Sequence, residues 1–401
     1  VKEAKGAQMA PLLVQCETEL AHVAARLEKA ACVALDLESN GLFAYRAKAC
    51  IVQIATPDAV VIVDALATSL APLAPLLESK HLVKIVHDVA FDARILAEAH
   101  VALANVHDTS IAARMLGRVS TGLASLLSTE LGVGINKSMQ QHDWGRRPLS
   151  EAAIGYLAGD VVHLQALEAK LFGEVRERNI AEEVDEETRY RLAHAIGAAG
   201  AGDSRPPYLR LKGIEHAAPS DLPILRRLAE LREARARELD VPPFKVLGPD
   251  MLFEIARTKP KTMDDLQSIR GTRGITKGRR PQSFAQEILQ AVQCGMNEGI
   301  NNGALSNGDR AMLLRSRPAS AALGAARRSR KLRLLQWRKG AAKERKVDDQ
   351  VVLPGHCLDD LASLSSPSLE AIANVAGIGH FRVERDGNTL LSVLLAEDRA
   401  K

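Results

Sequence analysis

Asp36-Leu37-Glu38 closes an apolar run that begins at Ala31, and the period of two along a strand puts both carboxylates on one face. Asp92 falls about one turn into the helix expected after a short strand over 83–86. Tyr156 and Asp160 are spaced i, i+4 on a segment whose apolar residues Ile154, Leu157, Val161 and Leu164 recur with helical period. Four acids and a tyrosine so placed are the makings of a two-metal site. Hydrolysis of a phosphodiester needs positive charge at both the attacking and the departing oxygen, which two divalent cations roughly 4 Å apart supply. Hard cations such as Mg²⁺ take carboxylate oxygens, and once bound they keep ionised a set of crowded acids that would otherwise take up protons. The tyrosine hydroxyl suits orienting the attacking water, since its ordinary pKa near 10 makes it a weak base.

Singly, each motif is ordinary: a D-x-E at a strand end, an exposed helical Y-x-x-x-D, a solvated helix aspartate. Their order and surroundings make the set. The elements that must position them are strands over 32–37, 49–55, 60–64, 83–86 and around Val106, with helices between and after them, giving a mixed α/β sheet with acids at strand ends. Asp108-Thr109 reads as the cap of a helix over 111–116, and His87, at a strand end, as an orienting or packing group. No glycine-rich phosphate loop follows any strand, which argues against a fused ATPase.

Further text carries a resemblance: Ala34-Leu-Asp-Leu-Glu-Ser-Asn40, Cys50-Ile-Val-Gln-Ile-Ala55, Lys84-Ile-Val-His-Asp88 followed by Asp92, His107-Asp-Thr-Ser-Ile-Ala112, Asp143-Trp144 with Arg147-Pro148-Leu149, and Tyr156-Leu-Ala-Gly-Asp160. On these motifs the stretch from 33 to about 172 resembles the DEDDy branch of the DnaQ-like 3′-to-5′ exonucleases, and within it the ribonuclease D family. The resemblance implies that Asp36, Glu38, Asp92 and Asp160 bind two Mg²⁺ or Mn²⁺ ions and that Tyr156 positions the nucleophilic water, making all five catalytic. Two positions depart from the family pattern: His142 stands where Ser is common, and Gly159 where Ala is common. Neither replaces a ligand, but Gly159 lowers helix propensity by up to about 1 kcal/mol and is expected to loosen Asp160.

The chain has 401 residues, 46% of them hydrophobic, enough for two or three domains and too apolar for wholesale disorder. Its net charge of +4 hides an asymmetry: residues 1–200 carry 19 Lys and Arg against 25 Asp and Glu, and residues 201–401 carry 34 against 24. A basic half attracts phosphates. That half also repeats itself without a gap at an offset of 106, matching Leu228 with Leu334, Arg232 with Arg338, Leu252 with Leu358, Ala256 with Ala362 and Gly271 with Gly377. Each copy reads as a small helical module resembling the HRDC domain, which implies auxiliary nucleic-acid binding.

The expected architecture is therefore an α/β, DnaQ-like (ribonuclease H-like) mixed-sheet exonuclease domain over 1–195, a linker over 196–218, and a first all-α HRDC domain over 219–298. A second linker over 299–327 and a second HRDC domain over 328–401 complete it. Residues before Pro11 are expected to fray. The five cysteines are widely spaced without C-x-x-C pairing, and neither zinc nor disulfides are indicated. With no apolar stretch long enough for a membrane and no signal-like N-terminal segment, a cytoplasmic monomer is expected. Its implied partner is the 3′ end of tRNA precursors or other structured RNA, cut to nucleoside 5′-monophosphates. A DNA exonuclease of the same fold and an idle RNA-binding scaffold are the alternatives. If the HRDC copies are auxiliary, removing 219–401 leaves short single-stranded RNA degradable and weakens action on structured RNA.

Overall fold

Alternating burial along β2 (Cys32–Ser39) sends Val33, Leu35 and Leu37 to one side and Ala34, Asp36 and Glu38 to the other. The computed structural model describes residues 10–136, 138–198, 205–272, 281–300 and 321–396. A six-stranded mixed sheet runs in the order β1-β4-β3-β2-β5-β6. Its other strands are β1 (Leu12–Val14), β3 (Ala49–Thr56), β4 (Ala59–Asp64), β5 (Val83–Val86) and β6 (Val106–Asp108). β3 pairs antiparallel with β2 and β4, while β1, β5 and β6 run parallel to their neighbours. The long apolar runs of β3 and β4 are buried throughout their interiors, as a strand covered on both faces requires. β1 was not expected from the sequence. Three residues give too short an alternation to register, and Leu12–Val14 becomes a strand by pairing with Val61–Val63 at the sheet edge.

The first unit of the chain holds residues 1–40, 48–200 and 325–401, and the second holds 41–47 and 201–324. In the first, α6 (Glu151–Val162) crosses the sheet on the face that carries Asp36 and Glu38, packing Ala158 and Val161 with Ala34 and Ile85. Behind it, α7 (Leu164–Glu177) and α4 (Thr109–Met115) share a second apolar cluster through Leu167, Leu171, Ile111 and Ala112.

The second helical module belongs to this unit too. It comprises α14 (Ala321–Arg345), α15 (Asp349–Val352), α16 (Gly355–Ser363), α17 (Leu369–Ala373) and α18 (His380–Leu395). Its Val351 enters the cluster of α4 and α7. Along α8 (Ala181–Ala198), the carboxylate of Glu183, 3% exposed, accepts from Arg345 at 2.9 Å and from Arg385 at 2.7 Å. Tyr190 of α8 stacks on His356, with ring centroids 4.0 Å apart. Gly377, at φ +77°, lets this approach happen, because a Cβ there would lie 2.6 Å from the Tyr190 ring.

In the second unit, α9 (Leu222–Leu239), α10 (Pro243–Val246), α11 (Pro249–Thr258), α12 (Met263–Ser268) and α13 (Pro281–Ile300) surround a core built on Leu225, Leu228, Leu252, Ile255 and Ile288. The 106-residue repeat is a repeat of structure: Leu228 and Leu334, Arg232 and Arg338, Leu252 and Leu358, and Ala256 and Ala362 are all buried, and Gly271 and Gly377 both take positive φ. The loop 41–47, which joins β2 to β3, groups with this unit; the Tyr45 hydroxyl donates to Glu233 at 2.9 Å.

The segment 196–218 is less of a linker than its composition suggests. α8 continues to Ala198, and Tyr208, Leu209, Leu211 and Ile214 are buried in the core of the second unit. Alanine, glycine and proline dominate the count, but Pro207 opens a 3₁₀ turn that turns the apolar residues inward. α13 and α14 extend into the stretch 299–327 from either side, and the rest of it lies outside the described residues.

Candidate active site

Asp36, Glu38 and Asp160 converge. One ligand oxygen of each lies within 4.8 Å of the others. β2 supplies the first two from one face, and a register shift between Glu38 and Ser39 marks a bulge beside the site. Asp160 comes from α6, which Ser150 caps through a bond accepted from the Ala153 amide. α6 runs unbroken through Gly159, whose Cβ position is open, so the expected loosening of Asp160 is not expressed in the backbone.

Asp92 stands in the first turn of α3 (Val89–Glu98), outside the tight trio but electrostatically joined to it. Burial pushes its carboxyl well above the ordinary range, and the charges of Asp36 and Glu38 push it further. Burial likewise raises Asp36 to about 6. It carries Glu38 to about 8, with Asp36 and Asp160 adding to it, and Asp160 to about 7, with Asp36 adding to it. Burial, with Asp160, Glu38 and Asp36 adding to it, drives the Tyr156 hydroxyl pKa upward, so it stays protonated.

Asp108 does more than expected. Its side chain accepts from the amides of Ser110 and Ile111, capping α4, and from those of Asp88 and Val89, tying down the start of α3 and so the turn that presents Asp92. Asp88 itself takes φ 68° at that N-cap. The Thr109 hydroxyl donates to the Val86 carbonyl at 3.0 Å, and His87 Nδ1 lies 2.9 Å from the same hydroxyl oxygen.

Sequence reasoning quoted Trp144 and Arg147 only as motif letters and missed Asp64 and Gln15. Trp144 is 2% exposed, 5.8 Å from the Tyr156 ring and edge-on to His142 at 4.7 Å. Its indole pulls the Glu38 carboxyl down against burial, although no full hydrogen bond reaches its N–H. Arg147 forks onto Asp64 at 2.6 and 2.5 Å, and Gln15 donates to the same carboxylate. An acid ending an otherwise apolar strand was the available signal.

The 3′-5′ exonuclease family profile matches residues 11–176, and the HRDC domain profile matches 221–292 and 330–394. Ribonuclease D of Gluconacetobacter diazotrophicus is 30% identical over 291 residues, covering 70% of this chain and 72% of its own. The chain belongs to the ribonuclease D family. A protein from Bifidobacterium adolescentis superposes with a TM-score of 0.72 at 20% identity, covering 98% of this chain and 99% of its own. Escherichia coli RNase D, described as an exoribonuclease involved in structured RNA processing, superposes with a TM-score of 0.69 at 20% identity, covering 96% and 99%. The sheet and helical modules above are thus the ribonuclease D fold, and this member of the family is a 3′-to-5′ exoribonuclease. Among the described residues no helix is long and apolar enough to cross a membrane.

Proposed function

We propose that this ribonuclease D family member is a metal-dependent enzyme that trims the 3′ ends of structured RNA, tRNA precursors among them, one nucleoside 5′-monophosphate at a time, as a cytoplasmic monomer. The observation that carries the reading is the convergence of Asp36, Glu38 and Asp160 within 4.8 Å, with Tyr156 one helical turn before Asp160 on α6. Three carboxyls crowded together and pushed toward neutrality fit divalent cations, since among the described residues no basic side chain figures among the causes of their shifts. Asp36, Glu38, Asp160 and Asp92 are the residues that would hold Mg²⁺ or Mn²⁺. When bound, two such ions supply positive charge at the attacking and departing oxygens of the phosphodiester.

The protein's own part is positional. A tyrosine whose pKa is raised cannot serve as the base near neutral pH, so the Tyr156 hydroxyl acts as a hydrogen-bonding group that orients the attacking water. Water attacks phosphorus, the bond to the penultimate 3′ oxygen breaks, and that oxygen regains a proton, leaving a new 3′-hydroxyl and a free 5′-monophosphate. The basic second half of the chain gives phosphates a counter-charge that the acidic half lacks.

Digestion of 5′-labelled RNA and DNA of one sequence, with Mg²⁺, Mn²⁺ or EDTA, using the natural chain and Asp160→Ala, tests this. A ladder shortened from the 3′ end of RNA, lost with EDTA and with the variant, is expected. A ladder on DNA alone would move the enzyme to DNA, and a ladder surviving in Asp160→Ala would refute the assigned site.

A further inference from the structure

The guanidinium of Arg147 has five N–H groups, and all five are spent inside the protein. Nε donates to Asp64 Oδ2 at 2.6 Å, one Nη to Asp64 Oδ1 at 2.5 Å and to the Cys50 carbonyl at 3.1 Å, and the other Nη to the carbonyls of Trp144 and Arg146, both at 2.8 Å. None is left for a phosphate. Asp64, 1% exposed at the end of β4, accepts from Gln15 as well, and although burial alone would raise its pKa, these bonds hold it below the ordinary value. The clamp therefore ties the carbonyl of Trp144 to the ends of β3 and β4. The Trp144 ring, packed with Cys50, Ile51, Ile62 and Leu157, faces Tyr156 and leaves its buried N–H without a partner at bonding distance. A buried donor beside a ligand carboxylate is what an outer group that orients that carboxylate requires.

We propose that Arg147 and Asp64 are positioning residues of the exonuclease reaction, acting by seating Trp144 against Tyr156 and beside Glu38. The proposal deepens the reading above and rests on Glu38 and Tyr156 belonging to the active site. Trp144 and Trp337 are the two tryptophans of the chain, so the full-length Trp337→Phe protein reports on Trp144 alone. In that background Asp64→Asn, which keeps shape, and Arg147→Ala are compared. We expect kcat to fall by about 10- to 100-fold with KM changed less than about threefold. Trp144 emission in the metal-free protein should shift to the red, and added guanidinium ion should restore part of both signals to Arg147→Ala but not to Asp64→Asn.

Unchanged emission in both variants would overturn the seating of Trp144, whether or not the chain degrades RNA, since that readout needs neither metal nor substrate. Shifted emission with kcat kept within twofold would overturn the link to catalysis. A loss confined to KM would make Arg147 a phosphate-binding residue and equally end the proposal.

Discussion

Asp36 is the charge that recurs among the causes raising Glu38, Asp92 and Asp160. Removing it should relieve all three. Asp36→Asn is therefore expected to raise the Tm of the protein in EDTA at pH 8 by about 2–4 °C while lowering exonuclease activity on the order of 10³-fold. Scanning fluorimetry beside the ladder assay checks it; a lower Tm would mean the acids are not in conflict. Lys84 poses the opposite problem. It is fully buried in β5, donates to the Leu82 carbonyl at 2.8 Å, and burial lowers its pKa to about 8 from 10.5. Between those values the unfolded chain binds the proton that the folded one has released, so stability should rise with pH from about 8 to 10. The Tm of the natural chain should gain a few degrees on that of Lys84→Met over this range, and parallel curves would refute it. The grouping of Asp36, Glu38 and Asp160 was legible in the sequence because ligand chemistry restricts residue type and spacing together. Asp64 was not, because its partner Arg147 is 83 residues away and only the fold brings them together.

Helix and strand signals in this chain are strong where a face is continuously apolar and weak where pairing decides. α6, β3 and β4 could be drawn from periodicity, whereas β1 and the two 3₁₀ turns after 205 exist through contacts made elsewhere. Close helix packing is similarly silent in sequence. Gly295 of α13 lies against the backbone of α9, where a Cβ would stand 2.6 Å from Ile224 Cα and 2.8 Å from its nitrogen. Backbone cannot turn aside as a side chain can. Gly295→Ala should force the two helices apart and cost about 2–4 kcal/mol, read as earlier melting and faster proteolysis within residues 205–300 while degradation of short single-stranded RNA persists. An unchanged melting profile would show the contact to be looser than described.

Two HRDC copies were readable from the 106-residue offset, but not that one of them is built into the first unit. That information lies in Glu183 and Tyr190 of α8 and in Arg345, Arg385 and His356, which look like ordinary surface charges and ordinary rings until the fold pairs them. Deleting the C-terminal half is thus more than removing a handle. A chain ending at residue 320 should lose Tm by more than about 5 °C and lose activity even on short single strands, because buried Glu183 is left without either arginine. An unaltered Tm would restore the second copy to the role of a tether.

The first unit is assembled from three separate stretches of chain, the last beginning at residue 325. Ribosomes deliver polypeptide from one end only, so the carboxylate of Glu183 emerges about 160 residues before Arg345 and about 200 before Arg385. During translation the sheet and α8 are made well before the helices that pair with Glu183. A chain stopped before Arg345 would hold Asp36, Glu38, Asp92, Tyr156 and Asp160 and still lack both partners of buried Glu183.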